Sequence, residues 1–338
     1  MNQVAIVIVN WNGKEYLKEC LASIYKQRFK DFKIFFIDNN SSDGSWKILD
    51  NYKSVILIRN SRNFGFAKGN NIGIKKALSD GYEYVVLVNN DTIADANWLG
   101  TLVKRMDKDA KIGACQSKIL LHDSGLINTT GNVLHYLGFS YCGDYNKSDS
   151  YNVSKEITVA SGASLILRSE TLKKVGLFDE AFFMYHEDVD LSWRIREQGY
   201  TIWFEPLSKI FHKYSFSRNK MKFFYAEKNR IIFILKNFQT KTLLILLPPF
   251  IITELLMIVY SLLGGWLGLK IRSYKEIITS RKDIKIKRDK IQKERSVNDK
   301  KLKELFSNTL SFEEVSTPLF IPLNLFYRLY WFFFHAFI

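Results

Sequence analysis

The stretch that decides the fold opens the chain and reads VAIVIVNWNG at residues 4–13. Its first six residues form an unbroken apolar run, which indicates a strand that is buried on both faces, as in a parallel sheet. Residues that favour turns follow the run directly. Because no basic segment precedes this short run, we interpret it as a strand and not as a signal peptide.

Short apolar runs and helical patterns alternate after this stretch. Strands are predicted over residues 4–9, 32–37, 55–58 and 84–88. Helices are predicted over residues 14–26 and 67–78. Strands that alternate with helices predict an α/β fold with a Rossmann-like, mostly parallel sheet that is flanked by helices.

Polar loops follow three of the predicted strands, and they read NWNG at 10–13, DNNSSDGS at 38–45 and NNDT at 89–92. Ligands bind beyond the carboxyl ends of parallel strands, where these loops converge. The polar residues of these three loops are therefore the candidate ligand contacts. The preference of turns and helix caps for Asn, Asp, Ser and Gly explains the composition of each loop alone. The coincidence of three such loops favours a binding site about as strongly as it favours ordinary turns.

The segment NFGFAKGNNIG at 63–73 places glycines at every fourth position. On a helix they form one smooth stripe, which suits either tight packing on the sheet or close approach to a nucleotide, with Asn63 and Asn71 as polar contacts. No G-x-G-x-x-G follows the first strand and no G-x-x-x-x-G-K-[ST] occurs. A dinucleotide dehydrogenase is therefore disfavoured and a P-loop enzyme is excluded.

The densest chemistry lies in GLFDEAFFMYHEDVDLSWRIREQGY at 176–200. A helix predicted over residues 189–198 puts Glu187, Asp188 and Asp190 at its N-terminus, where carboxylates are stabilised by the helix dipole. Three carboxylates within four residues, beside the aromatic residues at 182–185, exceed what capping needs. Their mutual repulsion and the apolar wall should raise one pKa, as a general base requires.

Basic charge is concentrated beyond residue 200. Residues 1–200 hold 25 Lys and Arg against 23 Asp and Glu, whereas residues 201–338 hold 24 against 11, and all five prolines lie beyond residue 205. We predict one domain at 1–215 and a basic, helical, membrane-associating region at 216–338. The apolar content of 47% excludes a disordered chain, and three scattered cysteines disfavour a disulfide scaffold or zinc ribbon.

Three segments of the basic region favour lipid over nucleic acid as the anionic partner. Residues 242–269 carry one charge, Glu254, and are long enough to cross a membrane, although Pro248 and Pro249 should break the segment. Residues 271–305 are a charged helix or linker, and the aromatic residues 318–338 suit an interfacial anchor. A kinked span, a hairpin in the interface and a buried helix pair stay open. We expect a cytoplasmic catalytic domain at the membrane, and a soluble module after a cut near residue 240.

In their order and spacing, the motifs at 9–13, 38–45, 63–74, 89–92 and 176–200 resemble those of the inverting nucleotide-sugar glycosyltransferases of family 2, which have the GT-A fold. The resemblance covers residues 1 to about 215 and is strongest to the rhamnosyltransferase-like branch. It implies transfer of a sugar from a UDP- or dTDP-sugar, dTDP-rhamnose included, to a glycan or polyprenyl-linked acceptor.

The resemblance also implies roles for individual residues. Asp188, of the pair Glu187-Asp188, matches the catalytic base that deprotonates the acceptor hydroxyl in a single displacement. Asp91 ends a D-x-D motif that here reads Asn89-Asn90-Asp91, so one carboxylate would hold Mg²⁺ or Mn²⁺ on the donor diphosphate, with His212 as second ligand. The residues implied to bind the nucleotide sugar are Asn10, Asn12, Asp38, Asn63, Asn71, Asn90 and Gly162.

Two other function classes remain. A sugar nucleotidyltransferase would need a glycine-rich, cationic loop after the first strand, where NWNG is too short and has no cation. A non-catalytic module that binds membrane or nucleic acid would have no use for Asp91 and Asp188 at strand and helix ends. No nucleic-acid partner is expected.

Overall fold

The computed structural model describes residues 3–52, 54–213, 220–311 and 320–338, and the chain divides into two compact units. The first unit comprises Met1–Asn132, Cys142–Met184 and Tyr200–Ser215. The second comprises Val133–Tyr141, Tyr185–Gly199 and Phe216–Ile338. Two segments that precede residue 215 thus also belong to the second unit, and the predicted division after residue 215 stays a prediction.

The elements follow the sequence prediction closely through the first hundred residues. They are β1 Val4–Asn10, α1 Lys14–Tyr25, β2 Phe32–Asp38, β3 Val55–Arg59, α2 Gly65–Ser79, β4 Tyr84–Val88, β5 Thr92–Ala94, α3 Trp98–Met106, β6 Ile112–Leu121 and β7 Ile127–Thr129. Next come β8 Asn132–His135, β9 Ser140–Cys142, β10 Lys155–Glu156, β11 Ser164–Arg168, α4 Ser169–Val175, α5 Glu187–Glu197 and β12 Thr201–His212.

The remaining elements belong to the second unit and are mainly helical. They are α6 Lys220–Asn237, α7 Thr240–Leu263, α8 Leu267–Thr279, α9 Arg281–Glu294, α10 Asp299–Leu302, β13 Phe306–Ser307 and α11 Phe320–Phe334. Strands β13, β8 and β9 form a small sheet in that order.

The large sheet runs in the order β10-β12-β6-β11-β4-β1-β2-β3, with β5 beside β12 and β7 beside β6. Strands β4, β1, β2 and β3 are parallel, whereas β11 is antiparallel to both β4 and β6. The predicted α/β class is confirmed, and the sheet is mixed beyond β4. The structure describes every residue between β6 and β11, and no helix lies there. A parallel arrangement of these two strands would need a crossover connection of that kind.

Strand β1 is buried on both faces, as its unbroken apolar run predicts. On one face Ile6 and Ile8 share a core with Leu21 of α1 and Trp98 of α3. On the other face Gly69 and Gly73 of α2 lie against Val9 and Val7 of the strand. A Cβ atom at Gly73 would lie 2.5 Å from Cγ1 of Val7, which is far inside contact distance. The glycine stripe therefore serves helix–sheet packing at this position.

Helix α7 continues through Pro248 and Pro249, so the predicted break is wrong. Proline has no N–H, and Pro249 therefore leaves the carbonyl of Ile245 without its usual helix donor. The hydroxyl of Tyr330 donates a hydrogen bond to that carbonyl at 2.5 Å and replaces the missing donor. A side chain from α11 thus satisfies the backbone that the proline disrupts.

Among the described residues, one helix is long and apolar enough to cross a membrane: α7, with a mean hydropathy of 2.3. The predicted apolar segment 242–269 is not one helix, because α7 ends at Leu263 and α8 begins at Leu267. Residues 271–305 are helical for most of their length, in α8, α9 and α10. The aromatic segment forms α11, and residues 318 and 319 lie outside the described ranges.

Replacing Gly73 by Ala should lower the free energy of unfolding by about 1–3 kcal/mol, because the methyl group would collide with Val7. The matched control is Gly100→Ala in α3 of the same unit, where the new Cβ would meet Phe29 at an ordinary 3.4 Å. That control should gain about 0.4–1 kcal/mol. Urea unfolding measures both, and equal stability of the two variants would contradict this account of α2.

Candidate active site

The buried side chain of Asn10 connects the polar loops at the carboxyl end of β1. Its Nδ2 donates to Oγ of Ser45 at 2.8 Å and of Ser41 at 3.0 Å, and lies 3.4 Å from Oδ1 of Asp38. Its Oδ1 accepts a hydrogen bond from Nδ2 of Asn90 at 2.7 Å. Because β1 lies between β2 and β4, one amide holds the ends of all three strands together.

Gly13 is required for this arrangement, because any side chain there would enter the same space. A Cβ atom would lie 2.2 Å from Nδ2 of Asn90 and 2.6 Å from Oδ1 of Asn10. Asn12 adopts a left-handed backbone, with φ of 51°, and its Oδ1 accepts a hydrogen bond from the backbone N–H of Ser42 at 2.8 Å. The loops at 10–13 and 38–45 are therefore fixed to each other.

Asp38 is fully buried at the end of β2 and accepts a hydrogen bond from the backbone N–H of Ser41 at 3.2 Å. Nε of Arg59 lies 3.7 Å from its Oδ2, and the same guanidinium stacks on the ring of Trp46 with Cζ 4.3 Å from the centroid. Sequence reasoning assigned Asp38 but missed Arg59 and Trp46. The side chain of Arg59 is 47% exposed and can reach a ligand.

Asp91 and His212 are brought together by strand pairing. Thr92 of β5 lies opposite His212 of β12, which places Asp91 beside the imidazole. Nε2 of His212 lies 3.2 Å from Oδ1 of Asp91, and Nδ1 lies 3.0 Å from Oδ1 of Asn128. If Nδ1 carries the proton and donates to Asn128, the lone pair of Nε2 faces the carboxylate. A histidine that binds a metal ion commonly has its other ring N–H held in this way.

One further observation indicates that Asp91 and His212 could bind a divalent cation. Oδ1 of Asp91 is buried and, within the described part of the chain, receives no hydrogen bond. The described residues contain no group of three or more His, Cys, Asp or Glu side chains that could hold a metal. A cation at Asp91 and His212 would therefore take its other ligands from a bound diphosphate and water, as Mg²⁺ commonly does.

The amides predicted on α2 mainly contact the protein. Oδ1 of Asn63 accepts from the backbone N–H of Gly65 at 2.8 Å, where the helix begins. Nδ2 of Asn71 donates to the carbonyl of Phe178 at 2.9 Å and lies 3.3 Å from Glu180, and its Oδ1 accepts from the N–H of Phe178 at 3.1 Å. A nucleotide contact by Asn71 would have to displace these bonds.

Gly162 lies against the ring of Phe66, and a Cβ atom there would be 2.9 Å from Cζ. The contacts seen at Asn63, Asn71 and Gly162 order the loops of the first unit. Their nucleotide contacts stay predictions. A shallow cavity of about 420 Å³ lies elsewhere, between α1 and β5, and none of the predicted site residues lines it.

The acidic motif belongs to the second unit and begins with strained backbone. Tyr185 and His186 both have positive φ, 68° and 70°, which side-chain-bearing residues rarely adopt. Nδ2 of Asn229 donates to the carbonyl of Tyr185 at 2.7 Å, and Nε2 of His186 lies 2.8 Å from the carbonyl of Gly138. Burial lowers the pKa of His186 to about 4, so a neutral imidazole donates this bond near pH 7.

The adjacent carboxyls Glu187 and Asp188 occupy different environments at the start of α5. Glu187 is buried, and burial followed by the charge of Asp188 raises its pKa well above the ordinary value. Its Oε2 accepts no hydrogen bond from the described residues. Asp188 is half-buried, with Oδ1 2.8 Å from the N–H of Val189. The raised pKa predicted for this motif therefore falls on Glu187.

Asp190 has a structural role. It is fully buried, and its carboxylate pairs with Arg194 at 3.0 Å and with Lys236 at 2.9 Å. Nδ2 of Asn237 donates to it at 2.9 Å. These contacts join α5 to α6 within the second unit.

Residues 5–176 match the family described as Glycosyl transferase family 2. The chain belongs to this family. As a family 2 glycosyltransferase it is 24% identical over 209 residues to poly-beta-1,6-N-acetyl-D-glucosamine synthase of Staphylococcus aureus, and 26% identical over 206 residues to the Staphylococcus epidermidis protein of that name. These matches cover 61% and 60% of this chain, which spans about half (48%) of each relative.

Solved structures share the fold of this family 2 glycosyltransferase at low sequence identity. GalNAc-T7 with UDP, GalNAc and Mn²⁺ matches with a TM-score of 0.58 and 18% identity, over 71% of this chain and 49% of that chain. The mannosyltransferase PcManGT of Pyrobaculum calidifontis with GDP-Man and Mn²⁺ gives 0.52 and 13%, over 86% and 84%. Staphylococcus aureus TarS gives 0.51 and 18%, over 69% and 40%. These likenesses confirm the predicted GT-A fold.

The pKa of Glu187 predicts a pH-dependent stability. The folded protein holds this proton above the ordinary pKa of 4.5, so the contribution is complete below that pH and falls as pH rises toward the folded pKa. The slope is at most about 1.4 kcal/mol per pH unit.

Glu187→Gln should remove this slope, so the variant should gain stability relative to the natural protein between pH 5 and pH 8. Thermal unfolding across that range measures it, with the well-exposed Glu170→Gln as control. Parallel pH profiles of Glu187→Gln and the natural protein would contradict a proton held at Glu187.

Proposed function

We propose that this glycosyltransferase inverts configuration in a single displacement, transferring a sugar from a nucleotide diphosphate to an acceptor hydroxyl. The observation that carries the proposal is the pairing of Asp91 with His212 beside the loops that surround Asp38. The leaving diphosphate develops negative charge, which must be neutralised for the glycosidic bond to break. Family membership supplies the reaction class.

Asp91 and His212 would hold Mg²⁺ or Mn²⁺. When bound, the ion would neutralise charge on the donor diphosphate. This chain's own part is to position two ligands: strand pairing fixes His212, and Asn128 orients its ring. The Mn²⁺ in the GalNAc-T7 and PcManGT structures supports this choice of ion.

Asp188 is proposed as the base that accepts the proton of the acceptor hydroxyl. Its half-buried carboxylate lies at a helix N-terminus, where the dipole favours the charged form. Burial, followed by the charge of Asp188, raises the pKa of the neighbouring Glu187, which favours its protonated form. An ionised carboxylate that is ready to accept a proton is what a general base requires.

Nucleotide binding is assigned to the loops at the carboxyl end of β1 and β2. Asn10 and Asn90 shape the pocket through their mutual hydrogen bond, and Asp38 supplies the carboxylate for the base or ribose. Asn12 lines the same loops. Arg59, stacked on Trp46, is added as a cationic contact.

The donor is proposed to be a UDP- or dTDP-sugar, with dTDP-rhamnose in the panel to be tested. The acceptor is proposed to be a glycan or a polyprenyl-linked glycan, in cell-envelope polysaccharide synthesis at the cytoplasmic face of a membrane. The similarity to poly-beta-1,6-N-acetyl-D-glucosamine synthases supports a polysaccharide acceptor. The apolar helix α7 and the basic second unit support membrane lipid as a partner.

Asp188→Asn should lower kcat by about 10²–10⁴, because the amide cannot accept the acceptor proton. The dissociation constant for the nucleotide donor should stay within about twofold. Product assay and calorimetry measure the two quantities, with the fully exposed Asp123→Asn as control. Retention of full activity by Asp188→Asn would remove it from the role of base.

Asp91→Asn and His212→Ala should each weaken Mn²⁺-dependent binding of UDP by about 10–100-fold, because each removes a proposed ligand or its alignment. Calorimetric titration of UDP at several Mn²⁺ concentrations measures this. His122→Ala is the control, since that imidazole is 37% exposed and pairs with Asp123. Unchanged Mn²⁺ dependence in both variants would refute the proposed metal site.

A panel of UDP-, dTDP- and GDP-sugars, with Mg²⁺ or Mn²⁺, tests the proposed function as a whole. Release of nucleoside diphosphate from one donor class supports it. Formation of a nucleotide sugar from nucleoside triphosphate and sugar phosphate would instead identify a nucleotidyltransferase. Binding without turnover of any donor would favour the non-catalytic module.

A further inference from the structure

Helix α7 has the reverse of the polarity expected for a helix of a water-soluble protein. Its buried positions are mostly polar: Thr242, Leu246, Pro249, Thr253, Glu254 and Ser261. Its exposed side chains include an aliphatic stripe of Leu244, Leu247, Ile251, Leu255, Ile258 and Leu262. A helix in water buries its apolar stripe and exposes its polar one. The outer face of α7 therefore suits an apolar environment.

Helix α11 extends this apolar face. Its fully buried Tyr327 reaches α7, with its hydroxyl 2.7 Å from Oγ1 of Thr253. Apart from Arg328, its exposed side chains are apolar, and they include Ile321, Leu325, Leu329 and Phe332 to Phe334. We name the exposed faces of α7 and α11 together the α7–α11 surface. So many neighbouring apolar side chains exceed what a soluble monomer ordinarily exposes.

The packing of α7 argues against a crossing of the membrane. Glu254, past the middle of the helix, pairs with Arg230 of α6 and with Lys270 of α8 at 2.9 Å, and Tyr274 donates to it at 2.6 Å. If α7 crossed a bilayer, its two partner helices would enter the hydrocarbon with it.

Those partner helices carry charges that face outward. Arg272 of α8 is 56% exposed and pairs with Glu276 of the same helix, whose side chain is 36% exposed. Lys220, at the start of α6, is exposed as well. Charged groups at the centre of a bilayer are costly. A helix that lies in the plane of the membrane keeps all of them on the aqueous side.

The charges around the α7–α11 surface select an anionic membrane as its occupant. Lys241 in the first turn of α7 and Arg328 on α11 are both exposed. Residues 201–338 carry 13 more basic than acidic residues. Anionic headgroups attract such a region, and the aromatic rings of α11 suit the headgroup boundary.

We propose that the α7–α11 surface inserts in the plane of one leaflet of an anionic phospholipid bilayer, and that α7 does not cross it. The apolar side chains occupy the acyl boundary, and Glu254 with its cationic partners stays on the protein side. The proposal concerns the second unit alone and holds whether or not the proposed sugar transfer is correct.

Flotation with preformed vesicles tests the insertion. The full chain should float with vesicles of phosphatidylcholine containing phosphatidylglycerol, and at least tenfold less with phosphatidylcholine alone. The double variant Leu255→Asp, Phe333→Asp should lose at least tenfold in flotation. Val153→Asp, at an exposed apolar residue of the first unit, should float as the natural protein does.

Thermal unfolding midpoints within a few degrees of the natural protein establish that these surface variants fold. Flotation of the double variant equal to that of the natural protein would overturn the proposal. Equal flotation on neutral vesicles would overturn its anionic selectivity. A stable dimer in solution that does not float would assign the surface to a second copy of the chain and also overturn it.

Labelling of the two ends of α7 distinguishes an in-plane helix from a crossing one. Lys241→Cys, in the first turn of α7, and Gly268→Cys, just after its end, where an added Cβ meets no atom within 4 Å, are each made in a Cys142→Ser background, bound to sealed vesicles and treated with a membrane-impermeant maleimide. Both positions are exposed, and the remaining Cys20 and Cys115 are buried. Labelling of both ends from outside is expected. Protection of one end until detergent is added would show that α7 crosses.

Discussion

The site depends on one buried amide. Asn10 lies at the end of a strand whose two neighbours are also parallel strands, and its single side chain satisfies hydrogen-bonding groups from both. A loop that moved away would leave a buried polar group unpaired, at a cost of about 1–3 kcal/mol, and this cost stabilises the observed loop conformation. Gly13 is the accompanying constraint, since nothing larger fits beside the amide. The rigid end of the strand thus fixes the positions of the loop residues that are proposed to bind the ligand.

The acidic residues also differ from one another in their surroundings. Glu187 and Asp188 are consecutive, yet Glu187 is buried, with an Oε2 atom that accepts no hydrogen bond from the described residues, whereas Asp188 is half-buried at a helix N-terminus. Asp91 has a histidine at its carboxylate, and Asp190 has an arginine and a lysine. Carboxyl groups in this chain thus occupy very different surroundings, and the proposed roles of base and metal ligand are assigned on that basis.

Much of the first unit could be predicted because its strands are apolar runs bounded by turn residues. The four parallel strands were predicted to within one residue at each end, and the polar loops that follow them do meet. Strand β12 is harder to predict, because Pro206, Ser208 and Lys209 interrupt its apolar pattern. An irregularity between Glu205 and Lys209 absorbs the interruption, and the strand continues to His212.

Other features depend on contacts that no local pattern reveals. Pro249 is tolerated in α7 because Tyr330, 81 residues later, supplies the missing donor. The raised pKa at the acidic motif was predicted, but burial decides which carboxyl carries it, and burial depends on the whole unit. Asn71 was a plausible nucleotide contact by position, yet a loop more than one hundred residues away uses its amide.

The membership of α5 in the second unit has a consequence for how this chain can be divided. A cut near residue 240 assumes a self-sufficient enzyme with a detachable tail. Yet Asn229 and Gly138 hold the backbone before α5, and Lys236 neutralises Asp190. The helix that carries the candidate base thus belongs to the same compact unit as α7 and α11. In a chimera of two such enzymes, residues 133–141 and 185–199 would have to be exchanged together with residues 216–338.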